Sequence, residues 1–209
     1  MIIFLLGAPG AGKGTLAKAL VQQKKIIHIS TGDLFRNLRQ SSTPFAKKVK
    51  KIMDAGILIS DEITNKILAK ELTRYNLAKV NILLDGYPRN INQLKFLNKI
   101  KKVNYAIDLF VPQNVLLKRL TGRRNCPNCQ AIYNIYFKKP KMAGICDKCH
   151  TELIQRKDDN KQVVKVRFAQ YKKLNAPLVK VCQKAKIYHK INNIDLSQSL
   201  SQIIRICHL

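Results

Sequence analysis

The residues with the clearest chemistry lie near the start of the chain. Gly7-Ala8-Pro9-Gly10-Ala11-Gly12-Lys13-Gly14-Thr15 follows the apolar run Ile2–Leu6 directly and leads into helical periodicity beginning near Lys13. Strand, glycine-rich loop and helix in that order make a phosphate-binding loop. The glycines let consecutive backbone N–H groups turn inward, and the helix N-terminus adds partial positive charge. Lys13 is placed to bridge the β- and γ-phosphates of a nucleotide. The alternative is a merely tight strand-to-helix turn. Gly14 stands where Ser or Thr is usual, with Thr15 next, so the hydroxyl is displaced by one residue.

A second acidic and basic group follows another apolar run. Ile82-Leu83-Leu84-Asp85-Gly86-Tyr87-Pro88-Arg89 puts Asp85 at the end of an expected strand beside the phosphates. There it suits the Walker B role of holding Mg²⁺, directly or through water. Asp is also a common turn residue, and its position beside the loop favours the metal role.

Cys126-Pro127-Asn128-Cys129 and Cys146-Asp147-Lys148-Cys149 are separated by sixteen residues, a spacing that lets two knuckles converge on one tetrahedral Zn²⁺. Four thiolates close the coordination sphere, so the expected zinc is structural. His150 then falls outside the ligand set. Cys182 and Cys207 stand alone and read as buried small hydrophobes. A zinc ribbon on a basic chain can also bind nucleic acid, which is the rival reading of this segment.

These residues need a scaffold. Apolar β-rich runs at 2–6, 26–29, 80–84, 105–111 and 187–191 alternate with stretches of helical periodicity, which implies α/β architecture and a parallel sheet covered on both faces. In 61–75, Ile63, Ile67, Leu68 and Leu72 share one helical face, with Ser60 or Asp61 placed to cap it. The connections after residues 29 and 111 are longer than a crossover helix needs, so each carries an insertion. The first, at about 30–60, reads as short helices around 33–40 and 45–55, punctuated by Pro44 and Gly56. The second, at about 122–159, turns to Cys, Pro, Asn, Tyr and Gly, the composition of a small metal-stapled β unit. The chain shows no internal repeat, no low-complexity linker and no apolar run of membrane-spanning length. The expected location is the cytoplasm.

Thirty-nine Lys and Arg against twelve Asp and Glu in 209 residues give a net charge of +27. Such a field attracts polyanions, but the lysines are scattered along the chain rather than gathered in a stripe. Composition alone accounts for them, and specific nucleic-acid binding is not expected.

Residues 7–15, 30–33, 53–56, 84–89, 121–124 and 156–159 occur in the order of a known family. From Ile2 to about Tyr188 the chain resembles an adenylate kinase of the bacterial long-lid, zinc-containing class, within the nucleoside monophosphate kinases. The resemblance implies a five-stranded P-loop kinase core in three parts, 1–29, 61–121 and 160–209. It also implies an AMP-binding insertion at 30–60, a zinc-containing lid at 122–159, and a phosphotransferase that interconverts ATP plus AMP with two ADP as a monomer, using Mg²⁺. ATP would be held by Gly10, Ala11, Gly12, Lys13, Gly14, Thr15, Arg119, Arg123, Ile132, Tyr133 and backbone near Asp195. AMP would be held by Thr31, Arg36, Ile57, Leu58, Ile59, Gly86, Tyr87, Pro88, Arg89, Gln93, Arg156 and Arg167. Lys13, Asp85, Arg36, Arg89, Arg123, Arg156 and Arg167 would form the catalytic set. Asn192-Asn193 departs from the Asp-Gly pair common at that position.

The residue chemistry fits independently. Transfer between two nucleotides requires neutralisation and alignment of phosphates, and arginine grips phosphate bidentately at any relevant pH. The acceptor oxygen already carries charge, so none of the four histidines is needed as a base. The phosphate machinery does not depend on the base, which leaves a kinase for another monophosphate as the rival within enzymes.

Overall fold

A computed structural model describes residues 1–38 and 41–209 of the chain. The strands are β1 (Ile2–Leu6), β2 (Ile27–Ser30), β3 (Ile82–Asp85), β4 (Tyr105–Phe110), β5 (Arg123–Asn125), β6 (Ile132–Asn134) and β7 (Tyr188–Asn192). The helices are α1 (Lys13–Gln23), α2 (Thr31–Leu38), α3 (Pro44–Asp54), α4 (Asp61–Leu72), α5 (Ile91–Ile100), α6 (Gln113–Thr121), α7 (Lys161–Lys184) and α8 (Leu196–Cys207).

All five residues of β1 are apolar and buried, as expected of a strand covered on both faces. The two-residue period divides them. Ile3 and Leu5 join Leu16, Leu20, Ile107, Leu109 and Ile203 on one face. Ile2, Phe4 and Leu6 join Leu68, Leu72, Leu84, Leu94 and Leu178 on the other. Burying each such side chain contributes roughly 1.5–3 kcal/mol before conformational entropy is set against it. The isolated Cys182 and Cys207 are buried one in each cluster.

The five expected strands form one sheet in the order β2-β3-β1-β4-β7, parallel throughout. β3 begins and ends slightly later than the apolar run suggests, because pairing with Leu5 and Ser30 carries the ladder to Asp85. The connection leaving β1 leads to β2 on one side, and the connection leaving β3 leads to β4 on the other. Such divergence opens a crevice beyond the carboxyl ends of β1 and β3, the usual ligand position in an open parallel sheet.

In 30–60, α2 and α3 enclose Phe35, Val49 and Ile59 with flanking Leu38, Ile52, Met53, Ile63 and Ile67. Thr43 caps α3 by accepting from the Ala46 N–H at 3.2 Å, and Pro44 opens the helix, where its missing N–H costs nothing. The expected helix reaching residue 40 is described to Leu38; its last two positions lie outside the described residues. One detail differs at α4. Ser60 holds the N-cap position without a side-chain cap bond, and the Asp61 carboxylate instead accepts from Asn90 Nδ2 at 2.9 and 3.0 Å and from Gln93 Nε2 at 2.7 Å. No helix among the described residues is long and apolar enough to cross a membrane.

Residues 123–154 are built differently. β5 and β6 form an antiparallel pair, extended by single bridges from Asn125 to Ile154 and from Ile145 to Glu152. Its buried cluster holds only Cys126, Tyr133, Cys146 and Leu153, with Ala131 and Cys149 packed against it.

Candidate active site

The phosphate loop is shaped by backbone conformations that only glycine adopts cheaply. Gly7 has φ +136°, and a Cβ there would meet the Leu109 carbonyl at 2.8 Å. Gly12 has φ +91° and sits at the N-cap of α1; a Cβ there would lie 2.9 Å from Asn193 Nδ2. With α1 starting at Lys13, its first N–H groups have no partner within the helix and can meet an anion. Lys13 folds back over the loop, its Nζ donating to the Gly7 carbonyl at 2.7 Å and the Ala8 carbonyl at 3.2 Å. Burial pushes its pKa down to about 8, against the opposing attraction of Asp85.

Asp85 ends β3 directly under this loop. Its Oδ2 lies 3.4 Å from where a Cβ on Gly14 would be, ordinary van der Waals contact, which puts the carboxylate against the first turn of α1. His28 Nε2 approaches the same oxygen at 3.9 Å and has no hydrogen-bond partner among the described residues. A carboxylate oxygen beside a phosphate cradle is the hard donor Mg²⁺ prefers, so the residues present fit that ion.

Beyond β3 the chain turns through Gly86, Tyr87 and Pro88. Tyr87 is fully buried, with its hydroxyl donating within reach of Asn65 Oδ1 at 2.6 Å and the Gln93 carbonyl at 3.0 Å. Arg89 donates through Nε to the Gly86 carbonyl at 2.7 Å. Thr31 Oγ1 donates to the same carbonyl at 3.0 Å. Gln93 is buried, accepting from the Arg89 N–H at 2.7 Å while its Nε2 reaches Asp61; one carboxamide hydrogen is left for a further acceptor. Ile59 is buried under α2 and α3, whereas Ile57 is half exposed.

The arginines are close enough to perturb one another. Desolvation, then the charges of Arg123 and Arg36, holds Arg156 below the ordinary guanidinium value. Arg167 acts similarly on Arg89 and on Lys13. Carboxylates hold most of the set. Arg36 pairs with Asp33 Oδ1. Arg123 grips Asp159 bidentately at 2.7 and 2.5 Å. Arg167 reaches Asp158 Oδ2 at 3.0 Å and Asp159 Oδ1 at 3.1 Å. Asp159 is fully buried, so its charge is compensated by two guanidinium groups. The sequence reading gave roles to the arginines and none to Asp33, Asp158 or Asp159, although all three lie in the quoted motifs.

Arg119, on α6, reaches the other side of the phosphate loop. It donates to the carbonyls of Ala11 at 3.4 Å and Asn193 at 3.3 Å. Asp195 caps α8 by accepting from the Gln198 N–H at 2.7 Å, and its carbonyl accepts from Ser199 Oγ at 2.7 Å. Ile132 is half-buried on β6, and the ring of Tyr133 turns inward, its hydroxyl accepting from the Asp147 N–H at 2.9 Å.

The four knuckle cysteines converge. Their sulfurs all lie within 4.8 Å of one another, with Cys126 to Cys149 at 3.3 Å and Cys129 to Cys146 at 3.4 Å. Tetrahedral Zn–S bonds of about 2.3 Å put sulfurs about 3.8 Å apart, so the cluster fits zinc. The knuckles match in backbone. Gln130 and His150 each follow the second cysteine with φ 58° and 57°, and each donates its N–H to the carbonyl of the first, Cys126 at 3.1 Å and Cys146 at 2.9 Å. His150 is exposed, outside the cluster.

Comparison with known proteins agrees with this geometry. The family model described as adenylate kinase matches residues 5–187. The chain is 40% identical over 207 residues to an adenylate kinase of Borrelia duttonii, covering 97% of this chain and 93% of that one. It is 44% identical over 184 residues to that of Clostridium novyi, with 86% and 85% covered. It is 43% identical over 196 residues to that of Malacoplasma penetrans, with 94% and 90% covered. A phosphate loop and acidic strand end at the crevice of a parallel sheet, matched along nearly the whole chain, establish that this chain belongs to the adenylate kinase family.

Proposed function

We propose that the chain catalyses reversible phosphoryl transfer from ATP to AMP, giving two ADP, in the crevice beyond β1 and β3. The observation that carries this reading is the mutual proximity of Lys13, Arg36, Arg89, Arg123, Arg156 and Arg167, near enough to shift one another's titration and interleaved with Asp33, Asp158 and Asp159. A triphosphate and a monophosphate meeting in line need that much positive charge, and a nucleotide acting alone on water needs less.

In this reading, segment 30–60 holds AMP and segment 122–159 is a lid that closes on ATP, with 1–29, 61–121 and 160–209 as the core. The loop residues 10–15 and Arg119 hold ATP, together with Arg123, Ile132, Tyr133 and backbone near Asp195. Thr31, Gln93 and the backbone at 57–59 set the AMP base, and Gly86, Tyr87 and Pro88 shape the turn that presents Arg89. Lys13 leaves the Gly7 and Ala8 carbonyls for the phosphates. Arg36, Arg123 and Arg167 are held near their working positions by Asp33, Asp158 and Asp159, so phosphate exchanges for, or adds to, carboxylate partners already there. Asp85 would hold Mg²⁺, which when bound shields phosphate charge. Cys126, Cys129, Cys146 and Cys149 would hold one Zn²⁺ per chain with a structural role. The reading places a monomer in the cytoplasm, with ATP, AMP and ADP as its small-molecule partners.

The deciding experiment is a coupled assay with ATP and each of AMP, UMP, CMP and GMP. The fastest turnover is expected with AMP, and nearly all of it is expected to vanish without Mg²⁺. Faster turnover with another monophosphate would assign the base-binding residues differently. Elemental analysis of protein prepared without chelator is expected to find one zinc per chain.

A further inference from the structure

The end of β7 carries Asn192-Asn193, with Asn193 at the position where the resemblance implies glycine. Asn193 is 5% exposed, and its side chain crosses to the phosphate loop. Nδ2 donates to the Ala11 carbonyl at 2.6 Å across a sequence separation of 182 residues. The same carboxamide nitrogen lies against Gly12, at 2.9 Å from where a Cβ would be. The backbone of Asn193 is fixed as well: its N–H donates to the Phe110 carbonyl at 2.9 Å. Its carbonyl accepts from both Nη1 and Nη2 of Arg119 at 3.3 Å. One residue therefore ties the phosphate loop, the end of β4 and the arginine of α6 into a single unit.

We propose that Asn193 is a positioning residue for the ATP side of the reaction: it sets the Ala11–Gly12 peptide and Arg119 in register before the triphosphate arrives. The inference rests on the reading that the loop and Arg119 hold ATP. The Ala11 carbonyl points back into the protein toward Asn193, and a peptide whose carbonyl is held on one side presents its N–H on the other. That N–H belongs to Gly12, one of the loop groups that meet phosphate. A glycine with φ +91° has many alternative conformations open to it, and the Asn193 bond removes them without a side chain at position 12. Arg119 also reaches the Ala11 carbonyl, but at 3.4 Å, a weaker hold.

The test is calorimetric titration of the full-length protein with ATP and, separately, with AMP. In Asn193→Ala the dissociation constant for ATP is expected to rise ~3–10-fold, the consequence of losing one ordinary hydrogen bond, while that for AMP stays unchanged. Asn193→Asp keeps the shape but turns an acceptor toward the Ala11 carbonyl, and it is expected to weaken ATP more than Ala does. If Asn193→Ala does not fold, Asn193→Gly removes the same carboxamide and leaves the backbone free to adopt any conformation. Unchanged ATP affinity in the alanine and aspartate variants, or parallel losses for ATP and AMP, would overturn the proposal. Lys13→Ala separates the two levels of inference. If it loses ATP while the Asn193 variants do not, only the positioning role falls; if it too binds ATP normally, the loop assignment falls first.

Discussion

The sheet core and the cysteine unit solve the same problem of fixing functional side chains by different means. In the core, β1 is buried on both faces and its neighbours are held by ladder hydrogen bonds and two apolar clusters. The loop that follows inherits that rigidity. Residues 123–154 bury few large apolar groups, chiefly Tyr133 and Leu153 around the cysteines. So small a unit cannot offset its conformational entropy by burial alone, and four convergent thiols offer a metal bond in place of a core. Rigidity by burial is continuous with the rest of the protein, whereas rigidity by a metal is local and removable.

The largest expected effect is on the core. Phe4→Ala empties a fully buried site and is expected to lower stability by ~3–5 kcal/mol, with zinc content unchanged. Cys146→Ser is expected to do the reverse, releasing metal while lowering global stability less. Isolated zinc-finger peptides gain roughly 10–16 kcal/mol on binding metal, but here the unit is tethered to a folded core at both ends. Chemical denaturation with zinc measured in parallel checks both, and a Cys146→Ser protein that loses as much stability as Phe4→Ala would erase the distinction.

Turnover sharpens the contrast next. Lys13→Ala is expected to cost ~10²-fold or more in turnover, as removal of an electrostatic stabiliser commonly does, with little change in folding. Cys146→Ser at low temperature is expected to lose far less. Should Cys146→Ser keep its metal and stability yet lose all turnover, the cluster would be catalytic rather than a staple.

The two regions also differed in how far their sequences revealed them. Strand and loop positions were legible because apolar runs bounded by glycine are local signals, and the cysteine spacing is local too. Long-range pairing was not. Nothing in the order Asp158-Asp159 says that Asp159 is buried between Arg123, 36 residues earlier, and Arg167. The replacement of glycine by Asn193 was visible, but its contact with Ala11 spans almost the whole chain. The 24-residue α7 contains Pro177, a residue that ordinarily ends a helix; only the packing of Leu178 and Cys182 against the sheet shows why the helix continues. The resemblance named Gln93 as an AMP ligand, whereas its hold on Asp61 and on the Arg89 backbone required the fold.

The smallest expected effect concerns pH, and it separates the core cation from the arginines. Lys13 titrates at about 8 in the folded protein against 10.5 when unperturbed, chiefly through burial. Between those values the unfolded chain carries the extra proton, so this residue's contribution to stability rises with pH across that interval and is unfavourable below it. ATP binding has the opposite sign. Phosphate beside Lys13 favours the ammonium, so binding takes up a proton wherever the free protein has lost it, and ATP affinity falls as pH rises through about 8. If only the charged form binds, the fall from pH 7 to pH 9 is about tenfold. Burial and neighbouring charge lower Arg156 and Arg89 too, but a guanidinium starts so far above this range that it keeps its proton in a folded protein, so AMP affinity, carried by Arg36, Arg89, Arg156 and Arg167 in the proposed assignment, is expected to stay level. Calorimetry at pH 8.5 in two buffers of different ionisation enthalpy measures proton uptake directly. Uptake with ATP but not with AMP would place the titrating group at the phosphate loop, and equal uptake with both nucleotides would remove Lys13 as its source.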